Sequence, residues 1–383
     1  MSDILKVERV FRQSENREKR MISRLSFAFI TLFAFCTANA ADKTVYTVAD
    51  GKLDGSLYKI ALPQKWNKKL LLIAHGGLPE NAPLSADFEI EKTYVEELLK
   101  EGWMVAESSY RRNGIFVTDG VTDLNTLFDF IAKEYGRPER TYLTGASMGG
   151  KIAVKIAEET PGRFDAVLAV GAAFLCDDNG TSSEKNIESF KKLTFKPNIP
   201  VLFLSNVNEV ALASEYAELA SSTTANTTVW KAVRRGHCNV NDSEMLKAMR
   251  ALVDWLEKNR KPVNENISIE ITRAKSAARQ EKGRLYGRIS HVAPAYGNLT
   301  ADVTRADLEK AGIKQDTYFN VGFKKKKFRV FLGYNYADVK KGEWVAFLTA
   351  EDYLQIAMNW DNAQKQLGCK EGDEIFLEAG QGQ

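Results

Sequence analysis

One seven-residue stretch constrains this chain more than any other. Thr144-Gly145-Ala146-Ser147-Met148-Gly149-Gly150 joins a strand-like run, Arg140 to Thr144, to a segment of helical period, Lys151 to Glu159, which Pro161-Gly162 closes. A serine within Gly-x-Ser-x-Gly at a strand-to-helix junction predicts a sharp turn that lifts its hydroxyl above a sheet. The turn forces the serine backbone into a strained conformation, and the flanking glycines leave room for it. The helix that follows points its free amides at any negative charge that develops there. Ser147 is therefore the candidate nucleophile.

The surrounding sequence alternates strands and helices. Strands are expected at Leu70 to Ala74, Trp103 to Ser108, Arg140 to Thr144, Ala166 to Ala173, Pro200 to Leu204 and Thr227 to Val233. Helices are expected at Glu91 to Glu101, Asp123 to Tyr135, Lys151 to Glu159 and Met245 to Asn259. That order predicts an α/β fold, a mostly parallel sheet with helices on both faces. Thr44 to Leu62 is expected to add antiparallel edge strands. Leu175 to Asn198 is polar, carries no strand signal and suits a small lid.

A serine nucleophile needs a base, an acid and an oxyanion site. His237, in Arg235-Gly-His-Cys238, follows the last expected strand of this domain and precedes its last helix. His75-Gly76-Gly77 follows the strand Leu70 to Ala74. The acid belongs after the strand Val201 to Leu204, where the sequence reads Ser205-Asn-Val-Asn-Glu209-Val210. Glu209 is the first choice, Asn208 the second, and Asp177 or Asp178 after the preceding strand the third; only a carboxylate stabilises the imidazolium.

Residues 42 to 260 resemble the α/β-hydrolase family: serine turn, glycine loop and histidine occur in that family's order. The resemblance implies a catalytic domain over 41–260 and an acyl-enzyme mechanism that needs no cofactor. It implies that His237 is the base and that amides of Gly76 or Gly77 and of Met148 hold the oxyanion, with His75 structural. Ser109 to Gly114 is expected near the rim, with Arg111 and Arg112 held in salt bridges.

Composition narrows the partners. Lys and Arg number 53 against 50 Asp and Glu, a net charge of +3, so no strong basic field exists for a nucleic-acid backbone. Mean hydropathy is −0.31, which excludes a multi-span membrane protein. The 3 His and 4 Cys suggest no metal site. Met21 to Arg24 is basic, Leu25 to Cys36 is apolar and shorter than a membrane span, and Ala38-Asn39-Ala40 is a small-residue cleavage site. Residues 1–40 therefore read as a signal-peptide region, and the mature protein is expected in a periplasm or outside the cell. There Cys176 and Cys238 are free to form a disulfide or to stay as thiols.

Residues 261–280 carry Pro262 and several charges and read as a linker. Beyond it, Arg284 to Val292, Leu299 to Val303, Lys327 to Leu332 and Trp344 to Thr349 read as short strands of a smaller all-β, barrel-like domain over 281–383. Gly287-Arg-Ile-Ser-His-Val-Ala-Pro-Ala-Tyr-Gly297-Asn298-Leu299, Tyr336-Ala-Asp-Val339, Tyr353 to Asn359, Asn362-Ala363, Leu367-Gly368 and Gly372-Asp373 give it an ancestry. In that order they resemble the C-terminal domain of the S-adenosylmethionine hydroxide adenosyltransferases. In that family the barrel contacts the adenine end of a nucleoside, which would map to Asn298, Asn359, Asn362 and Ala363. The family's catalytic N-terminal domain is replaced here, and Pro294-Ala295 stand where it carries an aspartate, so adenosyl transfer is not expected. Lys324 to Lys327 reads as a solvated hairpin end.

The expected function is an exported serine hydrolase that cleaves a small-molecule or polymer ester, with its chemistry before about Arg260 and a barrel that shapes access. A nucleoside-binding protein with a vestigial hydrolase domain and a small serine peptidase are the alternatives.

Overall fold

The computed structural model describes residues 46–180, 186–224, 226–270 and 276–380. The expected signal peptide and residues 181–185 of the expected lid lie outside the described residues. The strands of the first half are β1 (Tyr46–Leu53), β2 (Ser56–Pro63), β3 (Lys69–Ala74), β4 (Met104–Ser108), β5 (Ile115–Phe116) and β6 (Arg140–Ala146). They continue with β7 (Ala166–Val170), β8 (Asn179–Gly180), β9 (Val201–Asn206), β10 (Thr227–Ala232) and β11 (Glu265–Ile267). Nine of these form one sheet in the order β1-β2-β4-β3-β6-β7-β9-β10-β11. The hairpin β1–β2 is antiparallel and meets β4 antiparallel, while every pairing from β4 to β11 is parallel. A parallel sheet has to be covered on both sides. Helices α1 (Tyr94–Lys100), α2 (Val117–Glu134), α3 (Met148–Glu159), α4 (Ile187–Lys191), α5 (Val210–Ser221) and α6 (Asp242–Lys258) supply most of that cover. Leu124, Phe128, Ile152, Ile156 and Tyr216 of α2, α3 and α5 pack on one face; Leu98, Met249, Leu252 and Trp255 of α1 and α6 pack on the other.

Four readings need correction. Helix α2 starts at Val117, six residues before the expected Asp123, because Val117 is itself fully buried and the apolar stripe begins there. Helix α5 was not anticipated: its sequence VALASEYAELAS buries only Ala213, Tyr216 and Ala220, too small a stripe to stand out. The segment expected as a linker is structured at both ends. Glu265–Ile267 extends the sheet beside β10 and buries Ile267, and Arg279–Glu281 pairs with the next strand. These tripeptides are too short to show a period. The expected lid packs down: Phe190 and Leu193 are buried, and β8 pairs with β5.

The second half holds β12 (Arg279–Glu281), β13 (Arg284–Val292), β14 (Leu299–Thr304), β15 (Tyr318–Phe323), β16 (Lys326–Leu332), β17 (Trp344–Leu348), β18 (Tyr353–Met358) and β19 (Glu374–Ala379). Pairing of β13 with β19 closes β13-β14-β18-β17-β16-β15-β19 into a barrel around Leu299, Val321, Val330 and Ile356. Lys324 and Lys325 turn the β15–β16 hairpin. The two halves form one compact unit over 44–383. His291 of the barrel reaches Glu89 of the hydrolase half at 3.0 Å, and Asn239 Nδ2 donates to the Leu348 carbonyl at 3.0 Å.

Candidate active site

Ser147 stands at the C-terminal end of β6 with φ 57° and ψ −119° and caps α3. This is a costly conformation for a non-glycine residue, about 1–3 kcal/mol, and its surroundings hold it. The Ser147 amide donates to the Val170 carbonyl at 2.9 Å, and its carbonyl accepts from Ala173 at 2.9 Å and Gly150 at 3.0 Å. The glycines are obligatory through crowding. A methyl group at Gly149 would lie 1.9 Å from the Ala74 carbonyl oxygen, and one at Gly145 would lie 2.1 Å from that of Gly149.

Three elements converge on this turn. His237, between β10 and α6, places Nε2 2.8 Å from Ser147 Oγ. Its Nδ1 lies 2.6 Å from Glu209 Oε2. Glu209 sits where β9 passes into α5, and its Oε1 accepts from the Cys238 amide at 3.1 Å and the Asn206 amide at 3.3 Å. Of the candidate acids, only Glu209 meets the histidine. Asn208 turns aside and accepts from the Gly236 amide at 2.8 Å, Asp177 accepts from Asn186 at 2.8 Å, and Asp178 pairs with buried Lys151 at 2.8 Å.

Several supporting residues escaped the sequence reading. Buried Asn206 ties the histidine loop to β9, accepting from the Asn239 amide at 2.8 Å and donating to the Asn239 carbonyl at 2.9 Å. Gly171, at φ 48°, leaves space for acid and thiol together, since a methyl group there would meet Glu209 Oε1 at 2.6 Å and Cys238 Sγ at 2.7 Å. Cys238 Sγ lies 3.8 Å from His237 Nε2. Cys238 and Glu209 both favour the charged imidazole and hold the His237 pKa well above its ordinary value, against burial. The donor atoms of Glu209, His237 and Cys238 fall within 4.8 Å of one another, the metal-like grouping among the described residues. His237 Nδ1 and Glu209 Oε2 already meet there at 2.6 Å, the contact that orients the base. Cys176, Cys238 and Cys369 are free thiols.

The glycine loop lies beside the serine. A methyl group at Gly76 would come within 3.4 Å of Ser147 Cβ, and Gly77 lines the same cavity. The Met148 amide, first in α3, is one of the helix-end donors without an intrahelical acceptor. His75 is buried, stacks on Tyr110 at 4.0 Å, and is held below its usual pKa by desolvation, as befits a structural residue. Arg111 and Arg112 are taken by Asp123 and Asp119.

The cavity above Ser147 has a volume of about 800 Å³ and is walled by both halves: Phe174 and Leu212 on one side, Tyr296, Tyr336, Phe347 and Trp360 on the other. Tyr296 approaches the reacting groups. A methyl group at Gly76 would lie 3.1 Å from its hydroxyl oxygen, and Trp360 would meet one at Gly77 at 3.3 Å. Ser147, His237, Glu209 and the glycine loop all precede Arg260, and the barrel walls one side of their cavity, as expected. Tyr296 lies in a segment whose resemblance pointed only to the barrel, so no local motif tied it to Ser147.

Residues 116–263 match the family model described as serine aminopeptidase, S33, and residues 287–376 match the SAM hydroxide adenosyltransferase C-terminal domain. The chain couples an α/β-hydrolase domain to an adenosyltransferase-type barrel. Over 125 residues it is 30% identical to o-phthalyl amidase from Xanthobacter agilis, a match covering 31% of this chain and 25% of the amidase. The chain thus spans about a quarter of the curated relative it matches. Among solved structures it is similar to Pyrococcus horikoshii acylaminoacyl peptidase, with 12% identity and a TM-score of 0.44 over 56% of this chain and 41% of that one. It is also similar to a putative dienelactone hydrolase from Klebsiella pneumoniae, with 13% identity and a TM-score of 0.44 over 56% and 99%. Among the described residues, no helix is long and apolar enough to cross a membrane.

Proposed function

We propose that this protein is an exported serine hydrolase that cleaves a carboxylic ester through an acyl-enzyme on Ser147. The observation that carries the reading is the unbroken row Ser147 Oγ, His237 Nε2, His237 Nδ1 and Glu209 Oε2, with separations of 2.8 and 2.6 Å. Ser147 Oγ attacks the carbonyl carbon while His237 Nε2 takes its proton. Glu209 holds the imidazole's orientation and stabilises its charge. The amides of Gly76 or Gly77 and of Met148 receive the oxyanion. As the intermediate collapses, His237 returns the proton to the leaving alcohol, and a water then repeats the steps to release the acid. The mostly apolar, aromatic-walled cavity suits a small ester better than a long polymer strand. The segment 1–40 supports export, with a mature protein beginning at Ala41.

A second reading, an amide substrate, is favoured by the amidase relative. A matched p-nitrophenyl ester and p-nitroanilide separate the two by their kcat/KM ratio. The nucleoside-binding alternative gains little support. Asn298 donates to the Tyr336 hydroxyl at 2.6 Å, Asn359 donates to the Val339 carbonyl at 2.8 Å, and Asn362 caps the helix Ala363–Leu367.

The direct test is a cycle on the ester. Ser147→Ala and His237→Ala should each lose about as much kcat as the double variant, because a serine without its base gains little. Strictly additive losses would contradict the shared proton path.

A further inference from the structure

The barrel brings a hydroxyl to the one place in the hydrolase half where negative charge would develop. Tyr296 belongs to the turn between β13 and β14, and that turn is braced from within: the Gly297 amide donates to the Ala293 carbonyl at 2.8 Å, and the Ala293 amide to that of Asn298 at 2.9 Å. The following residue, Asn298, is buried and bonded to Tyr336. The phenol therefore projects from a fixed base. Its oxygen lies against Gly76, whose amide faces it, and beside the cavity that contains Ser147. No side chain among the described residues accepts its proton in a hydrogen bond. A phenol donor with a free proton, next to an amide with no other partner, matches the donor set that an oxyanion requires.

We propose that Tyr296 donates its hydroxyl hydrogen to the substrate's carbonyl oxygen as the tetrahedral intermediate forms, so that the oxyanion site is shared between the two halves of the chain. The inference rests on the acyl-enzyme reading. The step moves no proton from the phenol. The Ser147 Oγ–carbon bond forms, the Oγ proton passes to His237, and the carbonyl π pair becomes the oxyanion lone pair. The Tyr296 O–H, whose oxygen receives the Gly76 amide, stabilises that oxyanion alongside the amide of Met148, then turns back to the cavity when the carbonyl re-forms. The arrangement makes the barrel necessary for the rate of the chemical step as well as for access to the site.

The test uses a fluorophosphonate probe, whose phosphoryl oxygen enters the same donor set as the serine is modified. Wild-type protein should label to one equivalent and Ser147→Ala should not label at all. Tyr296→Phe keeps the ring and should label to the same final stoichiometry at a rate lower by about 100-fold, the lower end of what one lost oxyanion donor costs. With an activated ester, Tyr296→Phe should lower kcat by a similar factor with KM nearly unchanged, and the acidic limb of its pH profile should stay where the wild type has it. Gly76→Ala, whose methyl group would push the phenol away, should also slow labelling, and adding Tyr296→Phe to it should cost little more. Labelling of Tyr296→Phe at the wild-type rate, a rise in KM alone, or additive losses in the double variant would overturn the proposal and leave the serine reading standing. Equal labelling of Ser147→Ala and wild type would overturn the serine reading itself. If Tyr296→Phe fails to fold, Gly76→Ala alone decides: an unchanged labelling rate sinks the proposal.

Discussion

Two neighbours raise the pKa of His237. Cys238 Sγ lies 3.8 Å from Nε2 and 4.0 Å from Nδ1, and Glu209 lies 2.6 Å from Nδ1; both raise the imidazole pKa while burial lowers it. A base works only when neutral, so a raised pKa moves the acidic limb of activity to higher pH. Cys238→Ala removes the larger of these two contributions and should move that limb to lower pH, read from kcat/KM on an activated ester between pH 5 and 9, roughly the span over which shifted histidines titrate. A limb that stays in place would mean the sulfur does not bear on the base. Ser147, His237 and the glycine loop could be picked out from the sequence because each occupies a local motif. The acid could not be fixed that way. Glu209, Asn208 and Asp177 all follow strands at workable distances, and only the folded turn shows that Asn208 spends its side chain on the Gly236 amide.

Strand β4 contains a buried carboxyl that no ion pair among the described residues neutralises. Glu107 lies opposite Lys59 in the β2 register, yet the Lys59 ammonium bonds to Asp87 and the Phe88 carbonyl instead. Desolvation pushes the Glu107 pKa up to about 8, opposed by the Asp87 amide and by Lys59. The raised folded pKa gives a contribution to stability that is full below the unfolded pKa, near 4.5, and is lost as pH rises towards 8. Glu107→Gln should therefore leave Tm almost unchanged at pH 4 and raise it at pH 8; a lower Tm at pH 8 would mean that the charged form is the one the fold stabilises. The elements that could be read from sequence share strong signals: continuous apolar runs for β3, β7 and β9, and a wide stripe for α2 and α6. Helix α5 and the edge strand β11 were hidden. The first hides its face with alanine, and the second is three residues long and settled by the sheet it joins.

At the scale of the whole molecule, two folds of different ancestry enclose one cavity. The contacts that join the two halves have large separations in sequence: His291 to Glu89, Asn239 to Leu348, and Tyr296 to Gly76. No motif spans such distances, which is why the catalytic half and the barrel could each be recognised alone while their shared site could not. The central claim is that substrate carbon becomes bonded to Ser147. Intact-protein mass spectrometry on enzyme quenched during turnover of a slowly deacylating p-nitrophenyl ester tests it most directly. The account predicts a single adduct of the acyl mass, located on the peptide that contains Ser147 and absent from Ser147→Ala. An adduct on another residue, or undiminished ester turnover by Ser147→Ala, would contradict it.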